Sequence, residues 1–143
     1  MPGQKTLNQE RASFALKEVK SIKDSENIEA SVKEKYASNA KKLPALITTN
    51  GLIPTLAFLK SKEETRPLYD TMNEWLKRKV FSKDDTMNER LKEKGFSNNN
   101  DDDALEYLLT CNFSTLRLAT MEAIAFANWL KRMVEIEIKI GGK

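Results

Sequence analysis

The sequence predicts an all-α fold: a compact multi-helix bundle with a kinked second helix and a long, largely buried C-terminal helix. Apolar side chains recur at spacings of three and four residues over most of the 143-residue chain. Only five glycines and four prolines are present, and Asn50-Gly51, Pro54 and Pro67 stand between the periodic segments. The length suits one domain spanning residues 1–143, with a hydrophobic core of its own.

The first two helices have clear local signals. Thr6 and Gln9 have the spacing of a capping box, so the first helix is predicted to begin at Thr6. Its apolar stripe comprises Ala12, Ala15, Val19 and Ile22. The second stripe comprises Ile28, Val32, Tyr36 and Ala40. Pro44 falls inside this second helical pattern and lacks an N–H group, so a kink or a restart is expected there.

The next boundaries come from glycine and proline. Asn50-Gly51 predicts a helix end, because glycine relieves left-handed backbone strain after a helix. Pro54 suits the first turn of a third helix and Pro67 that of a fourth. The fourth helix is predicted to bury one side, at Leu68, Met72, Trp75, Leu76 and Val80.

A local tandem duplication follows. Residues 70–82 and 85–97 are identical at ten of thirteen positions, at an offset of 15. The second copy has Arg90 where the first has Trp75, and Gly95 where the first has Val80. It has therefore lost two apolar anchors. Segment 83–103 is expected to be a variable, mobile insertion within the single all-helical domain.

The last predicted helix is unusually apolar. The last aspartates of the polar loop that ends at Asp103 can cap a short helix from Ala104 to about Thr110, and Ser114 is the predicted N-cap of the final helix. Polar side chains of that helix collect in a sector about 100° wide, at Arg117, Asn128, Lys131, Arg132, Glu135 and Lys139. Either the helix is central to the domain, or it also faces another chain. The alternating tail 134–140 fits a strand or a fraying helix end, and the helix end is favoured because a lone strand has no pairing partner.

The residue inventory speaks against an enzyme. The chain has no histidine, so it lacks the commonest general base, nucleophile activator and zinc ligand. Cys111 is expected to act as a small buried hydrophobe. The run Asp101-Asp102-Asp103 lacks the glycine and glutamate of a calcium loop, and no glycine-rich phosphate loop occurs. No catalytic residue, cofactor, metal or small-molecule substrate is expected.

Location and charge give weaker signals. Residues 1–5 show no secretory signal, and no apolar run reaches the roughly 18 residues of a membrane span. A cytoplasmic location without membrane contact is therefore expected. The net charge of +3 permits nucleic-acid binding through a local patch without requiring it.

Three stretches resemble the small subunit of the type III-B (Cmr) CRISPR effector complex. They are residues 12–19, residues 36–59 and residues 117–132, and they span most of the chain outside the duplicated middle. The second stretch is the most specific. The resemblance implies an all-α bundle without nuclease activity, whose copies stack in a filament beside a larger backbone subunit. It also implies that the assembly holds a guide RNA and captures a complementary target RNA, for antiviral defence.

Positive charge is all that contact with an RNA backbone requires. The residues expected to make it are Lys41, Lys42, Arg117, Lys131 and Arg132. The alternative is a helical adaptor that binds only protein. A helix-turn-helix DNA reader turning at Asn50-Gly51 is disfavoured, because apolar residues would head its recognition helix.

Overall fold

The computed structural model describes residues 5–81 and 103–138, and within those ranges it contains helices and no strand. The six α-helices are α1 (Leu7–Asp24), α2 (Ala30–Asn50), α3 (Leu52–Ser61), α4 (Arg66–Leu76), α5 (Ala104–Thr110) and α6 (Phe113–Glu137). A π-helical turn, Lys77–Phe81, continues α4. The all-α prediction is confirmed. The expectation for segment 83–103 lies outside the described residues, apart from Asp103.

Several local predictions are confirmed in atomic detail. The Gln9 amide donates to Thr6 Oγ1 at 3.1 Å and the Thr6 amide donates to Gln9 Oε1 at 2.8 Å, which completes the capping box. Gly51 ends α2 with φ +92°, a value that favours glycine. Its N–H donates to the Ile47 carbonyl at 2.8 Å. Pro67 lies in the first turn of α4.

Other boundaries differ from the predictions. Helix α2 runs without interruption through Pro44, so no restart occurs, and the kink there stays a prediction. Ile28 precedes α2 instead of joining its stripe. The N-cap of α6 is Asn112 and not Ser114; Asn112 Oδ1 accepts from the Thr115 amide at 2.8 Å. Both side chains are good caps, so local sequence does not separate two such candidates two residues apart.

The C-terminal helix is the centre of the bundle. It packs mainly against α1 and α2 and also touches α3 and α4. Its buried side consists of Ala119, Ala123, Phe126, Ala127, Leu130 and Val134. The helix ends at Glu137, and the Ile138 amide donates to the Val134 carbonyl at 2.9 Å, so the tail is helical up to that point. Residues 139–143 lie outside the described part.

Three aromatic rings join α1, α4 and α6. Trp75 stacks on Phe126, with ring centroids 4.9 Å apart and planes at 12°. Phe14 lies against both, at 5.3 Å from Trp75 and 5.9 Å from Phe126. Each such pair adds about 0.5–1.5 kcal/mol beyond the area it buries. This cluster fixes the end of α4, and hence the π-helical turn, against α1.

Candidate functional site

The N-terminal half of α6 exposes an apolar strip. Phe113 is 77% exposed, Leu118 63% and Met121 60%. Together with Ser114 and Arg117 they line a shallow depression of about 380 Å³. The core uses the opposite side of the helix, so the fold does not need these side chains to be apolar. Contiguous exposed apolar side chains typically mark an interaction surface.

The C-terminal half of α6 exposes mainly polar side chains, although Ile136 is also 62% exposed. Asn128, Trp129, Lys131 and Arg132 line a second depression, of about 490 Å³. Arg132 lies 3.4 Å from a Glu135 oxygen on the next turn. The structure therefore answers the open question about this helix: it is central to the domain, and it also presents an uncovered side.

The five predicted RNA-contacting residues do not form one site. Lys131 and Arg132 share a depression, while Arg117 lies about 21 Å away along the helix axis, at 1.5 Å per residue. Lys41 is half-buried and Lys42 exposed on α2, and they line neither depression. RNA contact stays a prediction for all five.

A cationic site that the sequence did not indicate lies between α1 and the π-helical turn. This basic cleft has a volume of about 460 Å³. Its described lining residues are Lys5, Glu10, Ser13, Phe14, Lys17, Trp75, Arg78 and Lys79. The run Lys77-Arg78-Lys79 is the feature of the sequence that could have pointed to this site. Lys17 lies beside the run only in the folded chain.

A partly buried polar network explains why Glu122 interrupts the apolar face of α6. Arg11 donates two hydrogen bonds of 2.7 Å to the Glu122 carboxylate, and Trp75 Nε1 donates a third of 2.8 Å. Burial pushes the pKa of Glu122 upward, but the bonds from Arg11 and Trp75 and the Arg11 charge outweigh it, so the net pKa is lowered. The hydrogen bond to Glu122 in turn raises the pKa of Arg11.

A second carboxylate, on α1, has the opposite shift. Burial raises the pKa of Glu18, and the nearby Glu74 charge raises it further, while the Lys17 and Arg78 charges oppose the change. Glu74 also lies 3.5 Å from Arg78 Nε. Both carboxylates therefore lie close to cations of the basic cleft, without lining it.

The expected cap at Asp103 is confirmed and has a further role. Its side chain accepts from the Leu105 amide at 3.2 Å and also binds Lys60 and the Tyr69 hydroxyl. Burial raises the pKa of Tyr69, and its bond to Asp103 raises it further. These contacts tie α5 to α3 and α4. Cys111 differs from its prediction: it is half-buried against the core and not enclosed by it.

In residues 5–81 and 103–138, no three acidic, cysteine or histidine side chains group closely enough to hold a metal ion. Over the same residues, no helix combines the length and the apolar character needed to cross a membrane.

A helical bundle whose central helix leaves an apolar strip uncovered is typical of a protein that docks on a partner. The family model of a CRISPR-associated protein (Cas_Cmr5) matches residues 7–137. The chain belongs to this family, the small subunits of type III-B (Cmr) CRISPR complexes. The resemblance seen in the sequence is thereby confirmed, and the other subunits of such a complex are its partners.

The fold agrees with a solved structure. A CRISPR-associated Cmr5 family protein from Thermus thermophilus, whose crystal structure is known, is similar to this chain with a TM-score of 0.68 and 23% sequence identity. The match covers 95% of this chain and all of the other. At that identity the likeness shows the fold alone.

Proposed function

We propose that this chain is a non-catalytic structural subunit that stacks with copies of itself in a filament, beside the backbone subunit of a type III-B complex, and helps to hold guide and target RNA. We further propose that it acts in the cytoplasm, in antiviral defence. The apolar strip of α6 carries the proposal. Phe113, Leu118 and Met121 are exposed although the core does not require them there.

Covering the strip gives docking a driving force. Burial of apolar surface contributes about 25 cal/mol per Å² removed from water, before the cost of association. Head-to-tail stacking needs two different surfaces, because such contacts propagate instead of closing on themselves. The apolar strip supplies one of them. Arg117 lies within it, so a partner that covers the strip must also accommodate a cation.

The docking arm is tested in the assembled complex. We expect the double variant Leu118→Glu/Met121→Glu, co-expressed with the other subunits, to copurify at least about tenfold less, because two desolvated charges cost more than 1.4 kcal/mol. The matched control is Leu7→Glu, a partly exposed leucine on α1. Unchanged helical content and melting temperature must accompany the loss. Full copurification of the strip variant would contradict docking through α6.

A test of RNA binding distinguishes the proposed function from that of an adaptor that binds only protein. Phosphate contacts need cations, and Lys131 and Arg132 are the pair that the fold places together. We expect Lys131→Glu/Arg132→Glu to lower the RNA retained per purified complex. The control Lys35→Glu/Lys62→Glu changes the charge equally at two exposed positions on other elements. A wild-type complex that purifies without RNA would favour the protein-binding adaptor.

A further inference from the structure

We propose that the basic cleft is a second RNA site, which holds the phosphate backbone of a single strand with Lys5, Lys17 and Arg78 on its rim. The inference rests on the proposed function only in taking RNA as the ligand. It places the contact on α1 and the π-helical turn, apart from the residues of α6. No base is read there.

The lining of the cleft carries an excess of positive charge. Among its described lining residues are four cations, Lys5, Lys17, Arg78 and Lys79, and one carboxylate, Glu10. Four of 24 cationic side chains and one of 21 acidic ones therefore line it, which leaves twenty of each in the rest of the sequence. The lining thus has a formal excess of three positive charges. Such a focus attracts a polyanion even when the protein is nearly neutral overall.

Contacts with the aromatic cluster hold two of these cations in place. The Arg78 guanidinium carbon lies 4.8 Å from the centre of the Phe14 ring, and Lys79 Nζ lies 5.4 Å from that of Trp75. Glu74 contacts Arg78 from behind, and Glu10 pairs with Lys79. Ordering these long side chains before binding reduces the entropy that a ligand must otherwise offset. The π-helical turn is what presents both residues to the rings, and π-turns in helices frequently occur at functional sites.

The rings of Phe14 and Trp75 form the floor of the cleft, and their exposure determines which part of a nucleic acid can bind there. Trp75 is only 2% exposed and Phe14 8%, so neither ring is available for base stacking. Proteins that bind single strands by stacking expose their aromatic faces instead. An acidic peptide typically needs apolar contact as well as charge, and this covered floor offers little. A phosphodiester backbone, which is anionic along its whole length, fits a cationic rim over a closed floor.

The two copies of the tandem duplication differ at residues that line the cleft. The two copies differ at three positions, and two of these line the cleft: Trp75 is matched by Arg90, and Arg78 by Glu93. The second copy thus carries a charge in place of the floor tryptophan and the opposite charge in place of the rim arginine. Only the first copy has the side chains for this site. The substitution Arg78→Glu therefore reproduces in the first copy the residue that the second copy has at the same position.

The test measures binding of a fluorescently labelled single-stranded uridine oligomer to the purified full chain. Raising the salt from about 50 to about 200 mM weakens single-strand binding roughly 2.6-fold per phosphate contact. With three contacts we expect a decline of about 18-fold for the wild type, and of about 2.6-fold for Lys17→Gln/Arg78→Gln. Arg78→Glu should weaken binding further at low salt. The matched control is Lys35→Gln/Lys62→Gln, which removes two exposed cations elsewhere and should keep the wild-type salt dependence. Lys131→Gln/Arg132→Gln measures the α6 pair separately, and circular dichroism confirms that each variant is folded.

The outcomes separate this proposal from the proposed function. If Lys17→Gln/Arg78→Gln keeps the wild-type salt dependence while Lys131→Gln/Arg132→Gln reduces it, the cleft is not an RNA site. RNA binding by α6 would then still stand. A wild-type chain that does not bind the oligomer at low salt overturns both. In a competition assay, polyglutamate and polyuridine are each added to displace the labelled oligomer. If polyglutamate displaces it at the same charge concentration as polyuridine, the cleft is a surface for acidic protein, and the RNA assignment is overturned.

Discussion

Replacing Glu122 by glutamine tests the network that joins α1, α4 and α6. The carboxylate accepts three hydrogen bonds of 2.7 to 2.8 Å, from Arg11 and Trp75. A glutamine keeps one acceptor oxygen and turns a donor toward the remaining N–H groups. Hydrogen bonds to charged groups contribute about 1.5–3 kcal/mol each. The Arg11 and Glu122 side chains remain 16% and 14% exposed, so water offsets part of the loss. We expect Glu122→Gln to lower the free energy of unfolding by about 2–3 kcal/mol.

The assay is urea and thermal unfolding of Glu122→Gln, Arg11→Gln and the double variant. In a chain of this length 1 kcal/mol shifts the melting temperature by about 3 °C, so Glu122→Gln should melt about 6–9 °C lower. The control is Glu135→Gln, whose partner Arg132 is largely exposed, and it should cost less than about 0.5 kcal/mol. If the Arg11 and Glu122 effects add to within about 0.5 kcal/mol, the two residues are not coupled and the reasoning is refuted.

Acid provides a second check on the same carboxylate. The pKa of Glu122 in the folded protein lies below its ordinary 4.5. Its contribution to stability is therefore present above the unfolded pKa, and it is lost as the pH falls through the lowered folded pKa. The gap in unfolding free energy between wild type and Glu122→Gln should thus narrow in acid. A gap that stays constant down to about pH 3 would contradict the shift.

Three further predictions concern α1 and Gly51. Gly51→Ala should lower the free energy of unfolding in urea by about 1–3 kcal/mol, because φ +92° strains any residue with a side chain. An added Cβ would lie 3.6 Å from Pro54, an ordinary contact, so crowding adds nothing. An unchanged urea midpoint would refute the backbone argument. Thr6→Ala should cost about 1 kcal/mol by removing the capping box, whereas Thr6→Ser should retain most of it; equal losses in both would contradict the cap. Glu18→Gln should stabilise by less than about 1 kcal/mol at neutral pH, because it removes a half-buried charge near Glu74. Since the folded pKa of Glu18 is raised, this advantage should disappear below the unfolded pKa, and an advantage that persists in acid would contradict the cause.

Features that act within one helical turn were readable from the residues alone. The capping box at Thr6, the end of α2 at Gly51, the start of α4 at Pro67 and the cap at Asp103 each depend on atoms a few positions apart. The same locality explains the error at the start of α6, where Asn112 and Ser114 are both good caps. The periodicity of apolar residues likewise indicates an all-α fold before any packing is known.

The candidate sites were less predictable, because charge clusters depend on which helices meet. Lys131 and Arg132 are neighbours in the chain and stay together in the fold. Arg117 shares their face of the helix but lies four turns away, among apolar side chains. The face of a helix can be read from the sequence, but what covers each part of that face cannot.

What the sequence by itself determined is the all-α fold, several of the helix boundaries and the family to which the chain belongs. Only the tertiary structure decided that Lys17 and Arg78 line one cleft, and that Glu122 is the acceptor for Arg11 and Trp75. The physical reason is distance along the chain. Backbone capping and side-chain periodicity are short-range, whereas these contacts join residues 47 to 111 positions apart and exist only once the core has brought α1, α4 and α6 together.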